Sequence, residues 1–139
     1  KFFPSDGCAT FYDLGCGAGP IAKRVVARNI AQRLVAVDID PALVATAAGQ
    51  IRAEATTGSR TASSLRVADL AKLDTTSWGS RSERDVAWTA FVLAYLDVAT
   101  VLRRWAEVLL KPGALLCAVD VQALFSAHGG AGSAGSAAE

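Results

Sequence analysis

The chain has 139 residues, 52% of them hydrophobic, with a mean hydropathy of +0.31, which is enough apolar material for one domain with a real core and excludes general disorder. Lys and Arg number 14 against 13 Asp and Glu, for a net charge of +1, so a broad electrostatic grip on nucleic acid or an anionic membrane is excluded as well. The three cysteines, Cys8, Cys16 and Cys117, are odd in number, without C-x-x-C spacing or a nearby His, so neither a disulfide framework nor a metal site is indicated.

No stretch approaches the roughly 20 apolar residues needed to span a bilayer, and the start lacks the order of a signal peptide. A soluble, intracellular, cytoplasmic chain is therefore expected. It contains no Met and begins at Lys1, which suggests an incomplete reading frame.

Lys1 to Ala9 reads as a lead-in in which Phe2 and Phe3 pack normally or cover a ligand. The central stretch follows: Thr10-Phe11-Tyr12-Asp13-Leu14-Gly15-Cys16-Gly17-Ala18-Gly19-Pro20. Its β-rich start suits a buried strand, the glycines permit positive φ and close approach of a ligand, and Pro20 suits the first turn of a helix. Ile21, Ala22, Val25, Val26 and Ile30 form that helix's apolar stripe.

Arg33 to Asp38 is a second strand ending in an acid, and Asp40-Pro41 opens a second helix, with Asp40 as cap and Leu43, Val44, Ala47 and Ile51 as stripe, reaching about Ala53. Thr56 to Ser64 reads as a loop and Leu65 to Asp69 as a weaker third strand, while residues 70 to 83 are ambiguous. Asp85 to Ala90 is a fourth strand. Asp97 caps a third helix with stripe Val98, Val101, Leu102, Trp105, Val108 and Leu109; Lys111-Pro112-Gly113 ends it, and Ala114 to Val119 is a fifth strand before Asp120. Residues 1 to 128 are expected to form the core and 129 to 139 a flexible Gly/Ser/Ala tail.

Alternating strands and helices predict an α/β fold, a doubly wound and mainly parallel five-stranded Rossmann-like sheet with helices on both faces. Ligands bind such sheets beyond the strands' carboxyl ends. Asp13, Asp38, Asp69 and Asp120, at or just after strand ends, should gather at that rim. Gly17-Ala18-Gly19-Pro20-Ile21-Ala22 with Asp38 also satisfies the dinucleotide pattern, which keeps an NAD-dependent oxidoreductase open.

Asp13-Leu14-Gly15-Cys16-Gly17-Ala18-Gly19, Val37-Asp38-Ile39-Asp40-Pro41, Val67-Ala68-Asp69-Leu70, Asp85 to Leu93 and Leu110 to Leu116 stand in the order of five motifs. In these the chain resembles the class I S-adenosylmethionine-dependent methyltransferases over about residues 9 to 121. The resemblance implies an enzyme that transfers a methyl group from S-adenosyl-L-methionine by in-line displacement, with no metal. It places the cofactor against Asp13, Gly15, Cys16, Gly17 and Gly19, with Asp38 and Ile39 at the ribose, Asp69 and Leu70 at the adenine, and Thr89 and Ala90 beside them. It also implies that amides of the glycine-loop helix meet the methionine carboxylate.

Cys16 reads as a small apolar filler rather than a nucleophile. The catalytic group is unassigned, with Asp120, Tyr95 and His128 as candidates for a base. The fourth-strand segment lacks the polar-Pro-Pro-aromatic signature, so a small-molecule acceptor is preferred over nucleic acid. Class I members usually carry further strands; here the fifth is an edge, to be covered by a second copy in a homodimer or by residues outside this sequence. A non-catalytic cofactor-binding or scaffold module is the alternative function.

Overall fold

A computed structural model of the chain describes residues 7–55, 58–74, 78–79 and 81–120. Lys1 to Asp6, His128 and the 129–139 tail lie outside the described residues. Five strands, β1 (Cys8–Leu14), β2 (Ala31–Asp38), β3 (Ala62–Val67), β4 (Val86–Ala90) and β5 (Leu115–Val119), alternate with three helices, α1 (Pro20–Ala27), α2 (Pro41–Ala55) and α3 (Val98–Leu109). They form one sheet in the order β3-β2-β1-β4-β5, and every pairing is parallel. The doubly wound, five-stranded expectation holds.

The central strands carry apolar residues on both faces because both are covered. On one face Phe11, Leu34, Ala36 and Val86 pack with Ala22, Val25 and Val26 of α1 and Ala47 and Ile51 of α2. On the other, Tyr12, Leu14, Val35, Val37 and Ala87 pack with Val101, Trp105, Val108 and Leu109 of α3. The winding reverses between β1 and β4, so the crevice above their carboxyl ends is where a ligand would enter.

Several boundaries differ from the sequence reading. β3 starts at Ala62, inside the expected loop, and stops at Val67, so Asp69 lies beyond the strand. The cause is its edge position: Ala62 and Ser63 are exposed, and no apolar run marks them. α1 ends at Ala27, which leaves Ile30 outside it, with its carbonyl accepting from the Cys8 amide at 2.9 Å. Leu43 and Val98, each in the first turn of its helix, are exposed rather than part of the buried stripes. The ambiguous segment contains a 3₁₀ turn over Leu70–Lys72, followed by the buried Leu73 and Trp78.

Asp85 is structural. It is 1% exposed; one oxygen accepts from the Thr10 amide at 2.9 Å and the other from the Ser82 amide at 2.6 Å, which ties the start of β4 to β1. Among the described residues no helix is long and apolar enough to cross a membrane.

Candidate functional site

The first glycine turn leaves β1 with three left-handed glycines, Gly15, Gly17 and Gly19, at φ of 79°, 52° and 86°. They are not equivalent. A Cβ on Gly15 would overlap Val92 Cγ2, and one on Gly19 would stand 2.7 Å from Ala47 Cβ, whereas one on Gly17 would meet nothing within 4 Å. Gly15 and Gly19 are therefore required by packing, and Gly17 is the point at which the backbone is open to a ligand.

The loop is held from inside. The Gly15 and Cys16 amides donate to the Val37 carbonyl at 2.8 and 2.9 Å, and the Gly19 amide to the Cys16 carbonyl at 2.9 Å, while the Gly17 amide donates to Asp38 Oδ2 at 2.8 Å. These four amides, all before the start of α1, are bonded within the fold. The loop's contribution is shape.

Asp38 stands at the last position of β2, 9% exposed. Besides the Gly17 amide it accepts the Asp40 amide on Oδ1 at 3.0 Å. A carboxylate offers about four acceptor sites, so one remains on each oxygen. Asp40 caps α2 as expected, accepting from the Ala42 amide at 2.8 Å.

Asp38 and Asp69 line one cleft of about 390 Å³ together with Gly15, Ile39, Leu70, Phe91, Val92, Tyr95 and Leu96, a volume within the usual range of small-ligand sites. Asp69 caps the 3₁₀ turn through the Ala71 amide, at 2.9 Å, and pairs with Lys72 at 3.2 Å. That amide, and after it the Lys72 side chain, hold the Asp69 carboxyl below its usual range.

The other expected residues are distributed differently. Asp13 lies inside β1, 3% exposed, beneath the glycine loop rather than at the cleft rim. The Ala22 amide donates to it, but its Oδ2 has no hydrogen-bond partner among the described residues, and neither has Nε1 of Trp88, its register partner on β4. Burial pushes the Asp13 carboxyl up to about 7, opposed by the Ala22 amide and assisted by the charge of Asp38.

Cys16, Gly17, Gly19, Thr89 and Ala90 are not among the residues that line the cleft. Cys16 is buried and its thiol is pushed up to about 12 by that burial, so it is an inert filler. Thr89 is 0% exposed. Of the candidate bases, Tyr95 lines the cleft and is 75% exposed; Asp120 does not line it and accepts from the Ala94 amide at 3.1 Å; His128 is outside the described residues.

Phe91, Val92 and Leu96 were not singled out from the sequence. Their signal there is position: they follow a strand whose carboxyl end should face a ligand, and Phe91 and Val92 fall within the motif from Asp85 to Leu93.

Over residues 12–116 the chain matches the model of a methyltransferase domain family. No curated protein matches it in sequence. Among solved structures it is similar to the [4+2]-cyclase SpnF, with 27% identity and a TM-score of 0.59 over 81% of this chain and 39% of that one. It is also similar to an S-adenosylmethionine-dependent methyltransferase from Mesorhizobium loti, with 25% identity and a TM-score of 0.55 over 78% and 45%. A third is the magnesium protoporphyrin IX methyltransferase of Synechocystis, solved with bound SAH, at 20% identity and a TM-score of 0.55 over 74% and 43%. The chain spans less than half the length of each of these three.

Proposed function

The chain belongs to the methyltransferase domain family, and from that premise we propose that it binds S-adenosyl-L-methionine in the cleft above β1 and β4 and transfers the methyl group to a small-molecule acceptor. The observation that carries this reading is Asp38: a nearly buried carboxylate at a strand end, oriented by the Gly17 and Asp40 amides, in one cleft with Gly15 and Asp69.

The donor set fits the cofactor. The two acceptor sites left on Asp38 suit the vicinal hydroxyls of a ribose, and charge-assisted bonds of this kind are stronger than neutral ones. Asp69 suits an exocyclic amino group beside Leu70, and Ile39, 66% exposed, offers an apolar contact to a flat ring. The Gly15, Cys16, Gly17 and Gly19 amides are bonded within the fold, which leaves them no free donor for a pyrophosphate and argues against NAD. When bound, the cofactor supplies a methyl group already activated as a sulfonium.

What remains for the protein is alignment, which can supply several kcal/mol of the barrier. Phe91, Val92 and Leu96 exclude water from one side of the cleft, and the Tyr95 phenol can accept or donate a proton at an acceptor hydroxyl or amine. The near-neutral charge and the Thr89-Ala90-Phe91 segment favour a small acceptor over nucleic acid.

Titration calorimetry tests the reading: S-adenosylmethionine or its demethylated product should bind and NAD should not. Binding of NAD alone would sink it. Asp38→Ala should weaken cofactor binding by about 1–3 kcal/mol, or about 5- to 150-fold, from the unpaired hydroxyls and the loss of the Gly17 anchor. An affinity equal to wild type would remove Asp38 from the site.

A second reading is a domain that holds the cofactor without methyl transfer. The likeness to a cyclase, 27% identical, favours it. Cofactor binding with no methylated product across a panel of small hydroxyl and amine acceptors would select it.

A further inference from the structure

The cleft has two unlike sides. Asp38 and Asp69 stand on the β2 and β3 side; Phe91, Val92, Tyr95 and Leu96, all from the segment after β4, form the other. That second wall has a strained backbone. Phe91 has φ 60°, a conformation that a bulky residue seldom adopts, and the residue is 61% exposed, so burial does not explain it. Such a conformation persists where the surroundings over-determine it.

The surroundings here are the end of β5. The Phe91 amide donates to the Val119 carbonyl at 2.9 Å, and three residues on the Ala94 amide donates to Asp120 Oδ2 at 3.1 Å. Between these two points Val92 is helical, and the Tyr95 and Leu96 amides donate to the Val92 and Leu93 carbonyls at 3.1 and 3.0 Å. The first anchor is backbone and indifferent to sequence. The second depends on the side chain at position 120.

We propose that Asp120 is a positioning residue: its carboxylate, through the Ala94 amide, pins the 91–96 turn and so sets where Phe91 and Tyr95 stand against whatever occupies the cleft. Asp120 then acts at one remove from the reacting atoms and is no general base. A fixed acceptor oxygen suits this task, because an exposed amide would otherwise be taken by water. For the proposed methyl transfer, on which this part of the inference rests, the pinned wall is the apolar, aromatic side that an acceptor would meet.

The test is amide hydrogen exchange by NMR on the full chain, with Asp120→Ala and Asp120→Asn beside wild type. Asn keeps an acceptor oxygen at the same place. The Ala94 amide should exchange at least tenfold faster in Asp120→Ala and within about threefold of wild type in Asp120→Asn, with the amides of β1 unchanged in both. Calorimetry with S-adenosylhomocysteine should show affinity reduced about three- to tenfold in Asp120→Ala and restored in Asp120→Asn. Unchanged Ala94 exchange in the Ala variant overturns the proposal, as does an Asn variant that behaves like Ala, the result a base or a charge effect would give. If wild type binds no S-adenosylhomocysteine, the function proposed above fails, while the exchange rates still decide the role of Asp120.

Discussion

Trp105→Ala is expected to cost about 4–8 kcal/mol, most of the stability of a domain this size. Trp105 is 0% exposed and lies in α3 against Tyr12, Val35 and Leu70 in the larger core cluster. Truncating a buried Trp to Ala costs about 3–5 kcal/mol from lost burial and the cavity left behind. A further contribution comes from polarity: Trp105 Nε1 donates to the Leu70 carbonyl at 2.8 Å, and that carbonyl would lose its partner in a buried place, worth about 1–3 kcal/mol.

The site should register the same change. Leu70 and Asp69 line the cleft, and their segment hangs from α3 at both ends, by Trp105 at Leu70 and by Arg104 Nε, which donates to the Leu73 carbonyl at 2.7 Å. Trp105→Phe separates the two contributions, since it keeps most of the apolar volume and loses the bond, for an expected loss of about 1–3 kcal/mol. Urea unfolding of both variants measures the difference. A loss under 2 kcal/mol for the Ala variant would mean that the cavity collapses and that Trp105 does not anchor the segment.

How far the sequence disclosed this architecture follows from burial. β1, β2 and β4 are covered on both faces, so Phe11 to Leu14, interrupted only by Asp13, Leu34 to Val37 and Val86 to Ala87 are apolar runs that read as strands on sight. β3 is an edge with Ala62 and Ser63 in solvent, and half of it read as loop. The caps at Asp40 and Asp97 were legible because capping is a local bond: Asp97 accepts from the Thr100 amide at 3.4 Å.

The site was legible where its chemistry lies in the chain order, at Gly15, Asp38, Ile39, Asp69 and Leu70, which the cleft brings together. It was not legible where tertiary register decides. Nothing local marks Phe91 for a left-handed backbone, since aromatic residues avoid it; the cause is an anchor on β5 nearly thirty positions away. Asp13 looked like a rim residue because it precedes the glycines, yet it sits one residue inside the strand, on the face covered by α1. Asp120 looked like a possible base, and its acceptor oxygen is engaged by a backbone amide.

The burial of Asp13 has a consequence for pH. Its carboxyl titrates near 7 in the folded chain, against an ordinary value of 3.8. Between those values the folded state holds a proton that the unfolded state has released, so stability falls as pH rises from about 4 to 7 and is lowest above 7. At about 1.4 kcal/mol per pKa unit the full span is up to about 4 kcal/mol. The charged group set against it is Asp38, while the Cys16 thiol, pushed up to about 12, stays neutral throughout.

Asp13→Asn removes this titration while keeping an oxygen for the Ala22 amide. The stability of the variant relative to wild type should therefore rise by about 2–4 kcal/mol between pH 4.5 and pH 8, as read from urea unfolding at both values. Contributions from other carboxylates, such as Asp69, are common to both proteins and cancel in the difference. Parallel curves for the two proteins would mean that Asp13 is ionised in the fold at all pH values above 4.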